Sequence, residues 1–115
     1  MIRQLPFRRA VSSGKGVRLS TKIEYNGYIR AVLIHWPDGC NSLVEIRVGV
    51  GTTQIVPTED GEYLALNNAT IIFPPSPMMF NEKVVGGNRL WIEIKNGDDT
   101  ESHTVSVVVF IEEGN

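Results

Sequence analysis

The chain has 115 residues, 42% of them hydrophobic, with a single cysteine and a formal net charge of −2. That length suits one domain and buries enough surface for a core without staples. A lone cysteine excludes an internal disulfide framework. No apolar run approaches the roughly 18 residues of a membrane span, so no membrane partner is expected. The opening MIRQLPFRRA lacks the apolar stretch of a secretory signal, which points to a soluble chain not exported by that route.

The net charge hides a division. The first 22 residues hold Arg3, Arg8, Arg9, Lys15, Arg18 and Lys22 and no acid, whereas the remainder holds all 13 acids and five bases, so the two parts carry +6 and 5 − 13 = −8. A basic segment joined to an acidic body suits a chain that clasps something acidic, including another copy of itself.

Residues 1–17 contain Pro6, Ser12, Ser13, Gly14 and Gly16 and few strand-forming runs, the composition of a segment mobile on its own. Ile2, Leu5, Phe7 and Val11 nevertheless alternate with arginines. That pattern suits an arm that orders on a surface, for example by adding a strand to a neighbour's sheet. The reading is therefore a basic N-terminal arm over 1–17 and a body over 18–115.

The body reads as β throughout, with short runs and turn clusters at about 8–12-residue intervals. Arg18–Glu24 is closed by Asn26-Gly27, a strong hairpin signal. Tyr28–Trp36 is apolar on both faces apart from Arg30 and His35, as in a central strand. After the Pro37-Asp38-Gly39 turn, Leu43–Val50 alternates, with Val44, Ile46, Val48 and Val50 on one face and Glu45 and Arg47 on the other. Gln54–Val56 stops at Pro57. Glu62–Leu66 and Ala69–Phe73 are further strands, separated by Asn67-Asn68.

Pro74-Pro75-Ser76-Pro77 cannot donate to a ladder and predicts a stiff crossing or an edge segment. Met78–Val85 is a weaker strand. Arg89–Lys95 buries Leu90, Ile92 and Ile94. An acidic loop over 96–102 leads to His103–Ile111, whose Val105, Val107, Val109 and Ile111 share a face and belong in a sheet interior. Eight or nine short strands predict an all-β fold, an antiparallel β-sandwich of jelly-roll type, with an immunoglobulin-like sandwich as the competitor.

The chemistry-bearing residues are few. His35, Cys40 and His103 are the soft metal ligands, but none falls in a zinc spacing, so no metal and no cofactor is expected. Cys40 with a histidine is a conceivable nucleophile and base, yet no elbow or oxyanion loop marks it. The loop Asn96-Gly97-Asp98-Asp99-Thr100-Glu101 has a calcium loop's composition without its ligand register. The plain reading is a solvated acidic loop; a weak calcium site, or a docking surface for a basic arm through Asp98 and Asp99, are the alternatives. Gly49-Val50-Gly51 and Gly86-Gly87 precede no helix and are turn or bulge positions, not phosphate cradles. Asn68-Ala69-Thr70 matches the glycosylation acceptor pattern by chance. Trp91 lies on the face of Arg89, Glu93 and Lys95, which suits an interface anchor, a sugar-stacking platform, or a ring packed under a loop or the arm.

The stretch His35-Trp36-Pro37-Asp38-Gly39-Cys40-Asn41-Ser42-Leu43-Val44, with Asn96-Gly97-Asp98 and His103-Thr104-Val105-Ser106-Val107, resembles small β-sandwich accessory virion proteins of tailed phages and other viruses. These are capsid decoration proteins and minor structural subunits. The resemblance covers residues 18–112 and implies a non-enzymatic, symmetric subunit of a virion, assembled in the host cytoplasm. Its implied partners are its own copies and a capsid or other assembly protein. The expected contact residues are Arg3, Arg8, Arg9, Lys15, Arg18, Trp91, Asp98 and Asp99. Nucleic acid is disfavoured because the body is acidic and offers no aromatic-basic array. The alternative is a small carbohydrate- or peptide-binding module using Trp91.

Overall fold

Period-two alternation in the chain becomes nine strands in a computed structural model that describes residues 2–74 and 82–114. They are β1 (Ile2–Val11), β2 (Gly16–Lys22), β3 (Gly27–Trp36), β4 (Val44–Val50), β5 (Thr53–Val56), β6 (Ala69–Phe73), β7 (Glu82–Val84), β8 (Arg89–Asn96) and β9 (His103–Glu113). One sheet runs β1-β9-β3-β6, with β7 sharing the flank of β3; the other runs β2-β8-β4-β5. Every pairing is antiparallel.

The pairings are nested. β4 pairs with β5, β3 with β6 and β7, β2 with β8, and β1 with β9. The chain is thus one long hairpin whose successive rungs alternate between two sheets, which then join internally through β3 with β9 and β4 with β8. That wrapped hairpin is the jelly roll expected from the strand spacing.

The core lies between the sheets. Ile29, Val32, Ile34 and Trp36 of β3 and the expected face of β9 (Val105, Val107, Val109, Ile111) meet Val44, Ile46 and Val48 of β4 and Leu90, Ile92 and Ile94 of β8. Each such side chain contributes about 1.5–3 kcal/mol by leaving water. The register of β3 against β9 slips between Ile29 and Ala31. That β-bulge changes which parity faces inward, so the inward set is Ile29 and then Val32, Ile34 and Trp36. It explains why β3 reads as apolar on both faces.

Three readings of the sequence meet the structure here. Residues 2–11, expected as part of an arm, form β1, which pairs with β9 of the same chain from Ile2↔Glu112 to Val11↔His103. Gly16 and Val17 belong to β2. The physical reason is that Leu5 and Phe7 pack against the core of their own domain, which stabilises docking against the cost of ordering the segment. Glu62–Leu66 is not a strand, since only Leu64 bridges to Ile46. Of Met78–Val85, the described part contains β7, and residues 75–81, including most of the proline-rich crossing, lie outside the described residues.

Candidate functional site

The outer face of the β2-β8-β4-β5 sheet carries a charged and aromatic cluster built by cross-strand register. Ser20 lies opposite Trp91 and Arg18 opposite Glu93 on one side, while Gly49 lies opposite Trp91 and Arg47 opposite Glu93 on the other. Arg18 sits over the Trp91 ring at 4.5 Å from its centroid and Arg47 at 5.3 Å. The indole N–H donates to the Gly51 carbonyl at 2.9 Å.

Glu93 accepts from both terminal and inner nitrogens of Arg47, from Arg18 and from the Tyr63 hydroxyl. Burial alone would raise the Glu93 carboxyl; hydrogen bonds from Arg47 and Tyr63 and the charges of Arg47 and Arg18 outweigh it and hold the group below its ordinary value. Gln54 completes the cluster. Its side-chain amide donates to the carbonyls of Pro57, Glu59 and Glu62, and its oxygen accepts from Arg47 and Gly61. The cluster therefore fastens β2, β4, β8 and the 57–63 loop together. Trp91 is 6% exposed, so the face expected as a stacking platform is already occupied by guanidinium groups. Its cover comes from Arg18 of β2 and Arg47 of β4.

A second cluster fixes the corner between β1 and β2. Asn96 is 3% exposed. Its side-chain amide donates to the carbonyls of Val11 and Glu101, and its oxygen accepts from the Asp98 amide. The Asn96 amide donates to Lys15 and the Gly14 amide to the Asp98 carbonyl. The acidic loop does receive the basic N-terminal segment, but it does so within the chain and through backbone groups.

The Asp98 carboxylate is committed to the same loop. One oxygen accepts from the Thr100 amide and hydroxyl and from the Glu101 amide; the other meets His103 Nε2 at 2.8 Å. The His103 contact, followed by the Thr100 and Glu101 hydrogen bonds, holds this carboxyl well below the ordinary carboxylate range. Both Asp98 oxygens thus serve contacts within the chain, three at Oδ1 and one at Oδ2. Asp99 beside it is exposed.

Cys40 is fully buried in the core. Burial pushes its thiol up, and Asp38 and Asp98 push it further, which is the opposite of an activated nucleophile. His35 Nδ1 lies 2.6 Å from Oγ1 of Thr70, its cross-strand partner on β6 of the same sheet. Among the described residues no three His, Cys, Asp or Glu side chains gather as a metal-holding group.

The remaining expected contact residues fall into two kinds. Arg3 pairs with Glu113 at 3.0 Å and covers Tyr25, and Arg18 pairs with Glu93. Arg8, Arg9 and Lys15 are exposed, and among the described residues their side chains have no ion-pair or hydrogen-bond partner. Arg8 and Arg9 lie on β1, the edge of its sheet. The outward face of that sheet carries Pro6, Val108, Leu33 and Ile72 in one cross-strand row, and Ile72 is 56% exposed. Sequence reasoning did not mark this row, although the non-core parity of β9 and β6 held the signal.

No family model and no curated protein matches the chain. Among solved structures, a periplasmic inhibitor of g-type lysozyme from Aeromonas hydrophila, PliG, is similar over 95% of this chain and 86% of its own, at 9% identity and a TM-score of 0.47. FlhE is similar over 96% and 98%, at 9% identity and a TM-score of 0.44. A turnip yellow mosaic virus chain is similar over 98% and 81%, at 18% identity and a TM-score of 0.33. No function is carried from them to this chain.

Proposed function

We propose that this chain is a non-enzymatic structural subunit of a virion or a comparable protein assembly, joined to neighbours through its basic N-terminal strand. One observation carries the reading: β1 is a ten-residue edge strand whose Arg8 and Arg9 are exposed and uncommitted, whereas Arg3 and Arg18 are spent within the fold. An edge of that length presents unpaired backbone groups along its free side, which is a site for association. Its charge selects an acidic partner and repels a second β1, because antiparallel self-pairing about Pro6 would set Arg3 against Arg9.

The groups that would otherwise suggest chemistry or ligand binding act in fastening. Arg18 and Arg47 lie over the Trp91 ring, Glu93 and Asp98 accept hydrogen bonds from within the chain, and the Cys40 thiol is buried and raised. Jelly rolls recur in capsid and lectin domains; that is an analogy of fold, and it favours the virion setting only in that sense. In this reading the subunit assembles in the host cytoplasm and resides in the virion.

The test is solution mass by light scattering across a concentration series, at low salt and at about 0.5 M salt. The native chain and Arg8→Glu/Arg9→Glu are compared. The expected result is an oligomer for the native chain, weakened by salt, and a monomer for the variant. A native chain that stays monomeric, or a variant that assembles equally well, overturns the reading.

A further inference from the structure

The nested hairpin separates the two charge blocks of the sequence in space. Residues 1–22 hold six bases and no acid, while residues 48–82 hold Glu59, Asp60, Glu62 and Glu82 and no base. The first block forms β1, the 12–15 corner and β2. These strands are the first in each sheet order, β1-β9-β3-β6 and β2-β8-β4-β5, and the second block supplies the last strand of each. The four-residue corner, held to Asn96 and Asp98, keeps β1 and β2 at one side of the sandwich. At the other side, the Glu59-Asp60-Gly61-Glu62 turn is tied to Gln54 of β5. Glu82 and the exposed Lys83 of β7 line a groove with Thr52 and Thr53 of the β4–β5 turn, where their charges offset, so the acidic excess at this side comes from Glu59, Asp60 and Glu62. One flank is therefore basic, and the opposite flank is acidic at its 59–62 turn.

We infer that the partner of the basic β1 flank is the flank of a second copy that carries the acidic 59–62 turn and β6, so that copies associate head to tail. This rests on the assembly role proposed above and names the surface that accepts the basic strand.

Three features support that occupant. The exposed charges are complementary: Arg8, Arg9, Lys15 and Lys22 on one flank, and Glu59, Asp60 and Glu62 on the other, form no ion pair among the described residues. Both flanks add apolar surface, with Ile2 at 52% and Ile72 at 56% exposure. Strand direction also matches. Three antiparallel steps separate β1 from β6, so the β1 of a following copy, laid in the same orientation beside β6, is antiparallel to it. The sheet can continue from copy to copy without reversal. Such a contact is heterologous: it closes into a ring if the rotation per copy divides a full turn and otherwise grows as a filament.

The test uses the full chain in three forms: native, Arg8→Glu/Arg9→Glu, and Glu59→Lys/Asp60→Lys/Glu62→Lys. Circular dichroism confirms that each variant folds, as substitutions at these exposed positions permit. Sedimentation velocity at low salt then gives the size distribution. Each variant alone is expected to need at least about tenfold more protein for half-assembly than the native chain. An equimolar mixture is expected to recover larger species, because the intact acidic flank of one variant fits the intact basic flank of the other.

If the Arg8/Arg9 variant dissociates while the triple-lysine variant assembles like the native chain, the assigned acceptor is wrong and the role of β1 stands. If both variants dissociate but mixing recovers nothing, head-to-tail pairing is overturned. If the native chain itself is monomeric, this inference and the assembly role fail together.

Discussion

Replacing Gly49 by alanine should destabilise the protein by about 2–4 kcal/mol. Gly49 lies directly opposite Trp91 on the outer face of its sheet, and a Cβ there would collide with the indole at Cζ2 and Cε2 and with the Thr53 carbonyl. The indole has no free direction in which to give way, since Arg18 and Arg47 lie over it and its N–H is bonded to Gly51. Expelling the ring altogether would forfeit the burial of some 150–250 Å², about 4–6 kcal/mol at the usual coefficient. Shifting the strand instead costs about 1–3 kcal/mol, as overpacking does. The response falls between these bounds. At about 4 °C per kcal/mol for a chain of this length, Tm should drop by roughly 8–16 °C. Urea denaturation followed by tryptophan fluorescence reads the loss directly. The collision also predicts coupling: in a Trp91→Leu background the penalty of Gly49→Ala should shrink by about 1 kcal/mol or more. A Gly49→Ala protein within about 0.5 kcal/mol of native would refute the packing described for Trp91.

Asn96→Ala should cost about 1–3 kcal/mol, because the Val11 and Glu101 carbonyls lose their buried donor; hydrogen exchange should show faster opening of β1 amides than of β8 amides, and equal protection of the two would contradict it. Stability should decline at acid pH through Asp98. Its carboxyl is depressed from an ordinary 3.8 in the fold, so the unfolded chain binds the proton more readily, and the contribution is complete above that value and drains away as pH falls below it. Asp98→Asn should flatten this acid limb in a pH series of urea melts, and an unchanged limb would remove the assigned role. Cys40, buried and with a raised thiol, should react with a thiol reagent at least about a hundredfold faster in denaturant than in the native state; similar rates would mean the corner around it opens freely.

Much of the architecture was legible because burial on one face imposes alternation. Val44, Ile46, Val48 and Val50, or Val105 through Ile111, show their core face in the residue order alone. β1 was less legible because an edge strand is buried on one side only, and here its inward positions include Arg3 and Arg9 opposite Ile111 and Val105. Charge and proline in an edge strand mimic a tail. The candidate site was legible only in its parts. The residue order placed Trp91 beside Glu93 and Lys95, but the arginines that cover it arrive from β2 and β4 through register. Asp98 read as a free acid because its donors, the Thr100 and Glu101 amides, depend on how the loop folds back. The charge blocks were plain in the sequence, whereas their placement on opposite flanks follows from the nested hairpin.

The most direct measurement is zero-length carbodiimide cross-linking of an equimolar mixture of unlabelled and ¹⁵N-labelled native chain, read by mass spectrometry. Mixed-isotope links can come only from contacts between copies. Head-to-tail assembly predicts such links from Lys15 or Lys22 to Glu59, Asp60 or Glu62. Links that join only residues of the same copy, or mixed links that avoid the 59–62 turn, would contradict it.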